Sequence, residues 1–406
     1  MTTTMPAATV NARLGLPEDV LVIDTDTHLT EPSDLWTSRA PAKYADRVPR
    51  VEVIDGRNMW VFDGDVVGAA GSAAVIDRAG DKHLGLSFIG MSYDDIQPAA
   101  FDIHERIALM DELGIWAQFI YPNTFGFGGQ RLIDQQDEAL RLLTVQIFND
   151  ANAEMQEATD NRLFGMVILP WWDMEASVAE VRRCHAMGMR GINCGTGPHL
   201  IGLPDLSQPH WDPLWDVCAE LSMPVNFHIG ASTDTMSWFG SSPWPSHDEN
   251  TKLAIGSAMM YLSNASVMAN LIYGGVLERH PTVQFVSVES GIGWIPFFLQ
   301  SLDYQQIQST PGTYGSKYSL KPSEYFQRQM HACFWFEEAG VAEAVAALGD
   351  TNIMFETDYP HPTCLYPDSV GIAEGAVRSL PEESRRRVMS ENAIRLFNLP
   401  VPGASR

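Results

Sequence analysis

Eight short apolar segments recur along this chain, most of them followed by a stretch of helical periodicity, and this alternation narrows the fold more than any other feature. The candidate strands are 20–24, 117–121, 164–169, 191–194, 225–228, 284–288, 333–336 and 353–356. Helical patterns cover 102–113, 135–158, 176–187, 211–221, 252–280, 297–308, 338–347 and the tail after Pro381. Strand-then-helix units repeated eight times predict an α/β protein whose parallel sheet closes into a (β/α)8 TIM barrel. A chain of 406 residues has room for such a barrel as one large domain, predicted here over 19–400. Residues 1–18 read as a disordered lead-in. Two insertions interrupt the rhythm. Residues 35–100 are too long for a strand-to-helix loop and contain a β-hairpin pattern over 51–64, followed by glycine-rich coil, which predicts a cap over the barrel mouth. Residues 231–248, rich in Ser, Trp, Pro and Gly, predict a loop that walls a substrate site.

Four of the strands run into a metal-binding side chain: Asp26 with His28, then His228, Glu289 and Asp358. Barrel enzymes build their sites from side chains at the C-terminal ends of strands. Imidazole and carboxylate are the ligands of a catalytic divalent ion such as Zn or Mn, and Asp26 and His28, two apart on one strand, point the same way. Each residue alone has a plainer use. An aspartate before a turn caps it, and a histidine in an apolar strand is most often a hydrogen-bonded core residue. The order of the set at strand ends favours ligation by Asp26, His28, His228 and Asp358. Glu31 reads equally well as a brace for the turn before Pro32. His361 reads as an orienting group for Asp358 or as a substrate contact. Trp171, Trp172, Trp238 and Trp294 lie after strands, where a flat substrate would be gripped, or serve simply as packing.

Several stretches then resemble the amidohydrolase superfamily, in its decarboxylase-like branch with aminocarboxymuconate-semialdehyde decarboxylase and γ-resorcylate decarboxylase. They are Ile23-Asp24-Thr25-Asp26-Thr27-His28-Leu29-Thr30-Glu31-Pro32, Phe148-Asn149-Asp150 with Arg162-Leu163-Phe164-Gly165, Phe227-His228, Glu289-Ser290-Gly291-Ile292-Gly293-Trp294, Thr357-Asp358-Tyr359-Pro360-His361, and Glu391-Asn392-Ala393-Ile394-Arg395-Leu396-Phe397. The resemblance implies one divalent ion, zinc first with Mn, Fe or Mg as alternatives, because Gly191-Ile192-Asn193-Cys194-Gly195 offers no bridging lysine or glutamate. It also implies non-oxidative decarboxylation of an aromatic or unsaturated carboxylic acid, with Asp358 or an acid near it protonating the ring carbon, in a homodimer or homotetramer. Glu289 departs from the pattern, since the related decarboxylases place a histidine there. The rival reaction is hydrolysis of a C–C, amide or ester bond, with His228, Glu289 or Asp358 serving a metal-activated water. A non-catalytic binding barrel is the third reading.

The net charge of −25 disfavours nucleic acid or an anionic membrane as partner, and leaves a small molecule as the expected ligand. Five scattered cysteines without C-x-x-C spacing suggest neither a disulfide framework nor a zinc knuckle, which fits a reducing cytoplasm. The first residues have no basic or apolar leader pattern, and no apolar run is long enough to span a bilayer.

Overall fold

The computed structural model describes residues 7–71, 73–310, 312 and 317–402. Strand β1 (Ile23–His28) is followed by three strands of the first insertion, β2 (Arg50–Ile54), β3 (Arg57–Phe62) and β4 (Asp65–Ala69). Then come β5 (Ala117–Tyr121), β6 (Leu163–Gly165), β7 (Ile192–Asn193), β8 (Val225–His228), β9 (Phe285–Val288), β10 (Met330–Phe334) and β11 (Ile353–Phe355). Parallel neighbours run β1-β5-β6 in one arc and β7-β8-β9-β10-β11 in the other. Two bridges join the arcs, Val167 with Ile192 and Thr27 with Tyr359. At the first seam Val167 N donates to Gly191 O at 3.1 Å and Asn193 N to Val167 O at 2.8 Å; at the second, His28 N donates to Tyr359 O at 2.7 Å and Asp358 N to Asp26 O at 2.9 Å. These bonds close an eight-stranded barrel and leave it no open edge.

The strands are buried on both faces, as in parallel sheets covered by helices. Along β11, Met354 joins the inner cluster with Phe119, Tyr121, Val286, Val288 and Cys333, whereas Ile353 and Phe355 face the helices. Phe397 and Leu399 of the C-terminal tail complete that inner cluster, and Asn392 ties the tail down by donating to Asp350 O and Ile353 O at 2.6 and 2.8 Å.

Several boundaries differ from the sequence reading for identifiable reasons. Strand β1 starts later than expected and runs through His28, so Asp26 and His28 lie inside a strand rather than beyond it. Strand β10 begins at Met330 because Met330, His331 and Ala332 pair with β9. The helix expected over 252–280 is three, Glu249–Tyr261, Asn264–Tyr273 and Val276–Arg279. One break lets the Asn264 amide reach Phe227 O, Ser287 Oγ and Val288 O, each at 3.1 Å. The other falls at Gly275, which adopts φ +77°. In the first insertion β2, β3 and β4 form a three-stranded antiparallel sheet in place of a hairpin.

The disordered lead-in expected over 1–18 is corrected from residue 7 onward; residues 1–6 lie outside the described residues. Ala7–Leu14 is a helix with Val10 and Leu14 buried in the main core. Asn11 Nδ2 lies within hydrogen-bond distance of the carbonyls of Pro17, Glu18 and Val20, at 3.0, 3.0 and 2.9 Å, which fixes the entry into β1. Replacing Asn11 with alanine should therefore cost about 1–3 kcal/mol, since a buried amide that holds three part-buried carbonyls is lost. Urea titration checks this; an unchanged midpoint would show the segment to be a passive appendage.

Candidate active site

The alternation of the strands brings Asp26 and His28 to the same side of β1, and Thr27 turns away to donate its hydroxyl to Phe119 O at 2.7 Å. His228 ends β8. Glu289 and Asp358 stand just past β9 and β11, and both have left-handed backbone, φ +55° and +59°. Non-glycine residues pay about 1–3 kcal/mol for such a conformation, which is tolerated chiefly where the position of a side chain matters. At Glu289 the effect is direct. Val286 and Val288 face the barrel interior, so an extended Glu289 would face out, and the turn brings its carboxylate back to the site.

All of these side chains are buried, and their donor atoms converge. His28 Nε2 and His228 Nε2 are 3.2 Å apart. Asp26 Oδ1 lies 3.8 Å from the first and 3.6 Å from the second, Asp358 Oδ1 lies 3.7 Å from His28 Nε2, and Glu289 Oε2 lies 3.3 Å from His228 Nε2. His361 Nδ1 is 3.3 Å from Asp358 Oδ1, and its ring stacks on that of His28 with centroids 3.6 Å apart.

The hydrogen bonds decide which of these atoms carry lone pairs. His228 Nδ1 donates to Ile229 O at 2.7 Å, so its Nε2 is a bare acceptor. Neither oxygen of Asp26 accepts a hydrogen bond, nor does Asp358 Oδ1. Buried carboxylate oxygens without donors are costly, by several kcal/mol for an ionised group, unless a cation sits among them. Burial, with His361 and His228 close by, holds the His28 imidazole well below its usual range, in the neutral form that ligates. Burial pushes Asp26 up, and so does Asp358, while His228 opposes the shift. The donor set therefore fits a divalent ion. Two groups of donors, Asp26, His28, His228 with Glu289, and His28, Asp358 with His361, share His28 and make one patch.

The amidohydrolase family profile matches residues 23–399, nearly the whole barrel. The chain belongs to the amidohydrolase family. Among its curated relatives, this amidohydrolase is 23% identical over 318 residues to 2-amino-3-carboxymuconate-6-semialdehyde decarboxylase of Dictyostelium discoideum, covering 76% of this chain and 80% of the relative. It is 24% identical over 329 residues to the γ-resorcylate decarboxylase of Rhodococcus jostii (strain RHA1), covering 76% and 92%. Its fold superposes on an amidohydrolase from Mycobacterium avium subsp. paratuberculosis K-10 with a TM-score of 0.73 at 23% identity, covering 93% of this chain and 99% of the other. A dihydroxybenzoic acid decarboxylase from Polaromonas sp. JS666, solved with manganese and the inhibitor 2-nitroresorcinol, gives 0.60 at 18% identity, covering 93% and 97%.

The amidohydrolase site opens on a cavity of about 290 Å³. Glu289, His361 and Thr363 bound it from the barrel, Gly68, Ala69 and Ala73 from the first insertion, and Met236 and Phe239 from the 231–248 loop. The four tryptophans expected to grip a substrate are not among the residues that line it. Packing claims them instead. Trp171 is buried beside Leu169, Asn193 and Cys194 in a separate small cavity, and Trp172 lies under the Arg141 guanidinium, 4.1 Å from the ring centroid. Trp294 donates to Ser290 O at 2.8 Å and packs on Phe298, and Trp238 is half-buried in its loop. The aromatic wall is Phe127, Phe239 and Tyr261. Phe127 also lies 4.3 Å from the His228 ring, centroid to centroid, in a loop whose carbonyl accepts from the Asn193 amide.

Supporting residues that the sequence reading missed lie beneath this patch. Arg106 is fully buried and donates to Ala99 O at 2.7 Å, to Gln118 Oε1 at 3.1 Å and to His28 O at 2.6 Å, under the ring of Tyr359. Gln118 and Thr357 donate to Asp24, whose carboxyl burial pushes up to about 7. Glu356 accepts from the Glu289 amide at 3.2 Å, and Thr363 donates to Asp358 Oδ2 at 2.6 Å. Glu31, which the sequence reading did single out as a brace for the turn before Pro32, braces the loop after β5, accepting from Asn123 N, Thr124 N and Thr124 Oγ1 at 2.8, 3.1 and 2.8 Å. His331 sits away from this patch, bonded to Gln284 Oε1 at 3.0 Å.

Proposed function

We propose that this amidohydrolase holds one divalent ion on Asp26, His28, His228 and Asp358 and removes carbon dioxide from an aromatic or unsaturated carboxylic acid without oxidation. The observation that carries this reading is the convergence of bare, buried donor atoms beside a cavity walled by Phe127, Phe239 and Tyr261. The decarboxylases among the relatives support it. When bound, the ion supplies the positive charge that receives the substrate carboxylate and a neighbouring oxygen in an otherwise acidic protein. Zinc suits two imidazoles and two carboxylates, and manganese, present in the Polaromonas relative, suits the same donors. Five free cysteines, all buried, support a reducing cytoplasmic setting, and among the described residues no helix is long and apolar enough to cross a membrane. A homodimer or homotetramer is the assembly we propose, on the resemblance alone.

The residues around Asp358 hold a proton where the reaction needs one. Asn123 Nδ2 donates to Leu29 O at 3.0 Å, so its Oδ1 is the acceptor of His361 Nε2–H at 2.8 Å. That leaves His361 Nδ1 facing Asp358 Oδ1 at 3.3 Å, and two bare lone pairs at that distance repel. One proton shared between them removes the conflict. Passed from Asp358 to the ring carbon that bears the carboxylate, it leaves a tetrahedral carbon. The C–C bond then breaks, its electrons restore the aromatic ring, and carbon dioxide departs. Thr363, donating to Asp358 Oδ2, keeps the carboxylate aimed.

Hydrolysis has one observation in its favour, the Glu289 carboxylate at the cavity edge and 3.3 Å from His228 Nε2, where a base for water would stand. Burial, then the charges of Asp358 and Asp26, push that carboxyl well above the usual range, so without a cation beside it the group holds a proton instead of accepting one from water. Glu289→Gln should then keep turnover within about tenfold, whereas loss of a true general base costs about 10² to 10⁴. Stopped assays of kcat on the same substrate separate the two. The reaction itself is tested by a panel of ortho-hydroxybenzoates and unsaturated acids run beside amides, esters and β-diketones. Carbon dioxide released one for one with a decarboxylated product is the expected result, and turnover confined to the second set would overturn it.

A further inference from the structure

The cavity carries a cationic side chain that the decarboxylation chemistry leaves unused. Arg131 lines it on the side of the first insertion: its guanidinium donates to Val67 O of β4, and Nη1 lies 3.8 Å from where a Cβ on Gly68 would stand. The metal-binding patch reaches the same cavity from the barrel through Glu289 and His361. Among the residues lining the cavity Arg131 is the lone Lys or Arg, it makes no ion pair among the described residues, and its side chain is exposed. Acidic side chains outnumber basic ones 51 to 26 in this chain, and most of the arginines are spent in ion pairs, so an arginine left without a carboxylate at a cavity wall calls for an anion from elsewhere.

We propose that Arg131 receives a second acidic substituent of the substrate, and that the preferred substrates are aromatic dicarboxylic acids with the two acidic groups on different edges of one ring. The inference rests on the decarboxylase reading only for which end reacts. Arginine presents paired N–H groups that match a carboxylate in plane, and such charge-assisted pairs are the strong ones. The single bond to Val67 O leaves further N–H groups of the guanidinium for a ligand. The same cavity is lined by Phe127, Phe239 and Tyr261 with Met236 and Met260, flat rings and adaptable thioethers that suit one planar ring carrying variable small substituents. A volume of about 290 Å³ is ample for a single substituted ring.

Calorimetric titration of the metal-loaded protein with benzoate and with isophthalate tests this without requiring turnover. The wild type is expected to bind isophthalate the more tightly, and Arg131→Gln to cut the ratio of the two affinities by about 10- to 100-fold, the worth of a charge-assisted pair. Arg131→Lys should retain part of the preference. Equal weakening of both acids in Arg131→Gln, with a lowered melting midpoint, would mean that Arg131 only anchors β4, and would overturn the proposal. So would a wild type without preference. Decarboxylation is read separately as carbon dioxide release, so a dicarboxylate preference without release would sink the reaction assignment and leave the Arg131 site standing.

Discussion

Alanine at His228 is expected to empty the site, taking the metal content from about one ion per chain to a small fraction of that and turnover down by more than about 10³. His228 presents a bare Nε2 that lies within 3.6 Å of Asp26 Oδ1, His28 Nε2 and Glu289 Oε2, so three other donors converge on it. Removing it deletes an imidazole ligand and also the neighbour that opposes the upward push on Asp26. The remaining carboxylates then crowd without a counter-charge and take up protons instead of metal. Elemental analysis of purified variant and wild type, with a far-ultraviolet spectrum to confirm the fold, reads the result. A full complement of metal in the variant would contradict the ligand assignment, and two equivalents in the wild type would contradict a single-ion site.

Asp358→Asn is expected to separate binding from chemistry. The amide keeps an oxygen, its shape and a partner for Thr363 Oγ1, so the fold survives and part of the metal affinity with it. It cannot pass on the proton that the contact with His361 Nδ1 demands. General acid groups are worth about 10² to 10⁴ in rate, and kcat should fall by that factor while KM changes little. Near-normal kcat with metal bound would move the proton to Glu289 or His361. His361→Asn tests the same pair from the other side and should cost less, because it leaves the carboxylate itself in place.

The residues that the sequence made legible are those whose chemistry and strand position coincide. Asp26, His28, His228 and Asp358 each terminate or lie in a strong apolar run, and strands on a closed barrel have nowhere to send their C-terminal side chains but the mouth. Val225–His228 and Ala117–Tyr121 were readable to the residue because both are short, wholly buried runs. Arg106 was not readable. It sits in a helix whose pattern looks ordinary, and only its long reach across to His28 O and Gln118 gives it a role. The tryptophans misled for the opposite reason. Their positions after strands are right for a substrate wall, but local packing on Arg141, Phe298 and Ser290 decides where the rings go, and spacing along the chain does not encode that. The left-handed turns at Glu289 and Asp358 were likewise silent, since nothing in the local sequence marks which Glu or Asp takes that backbone.

Turnover in deuterated and in oxygen-18 water bears most directly on the claim that this site removes carbon dioxide by protonating carbon. On any substrate found by the panel, mass spectrometry of the product should show one solvent deuterium on the carbon that carried the carboxylate, carbon dioxide in equal amount, and no oxygen from water. Water oxygen in the product without carbon dioxide release would show that Glu289 and the metal serve hydrolysis instead.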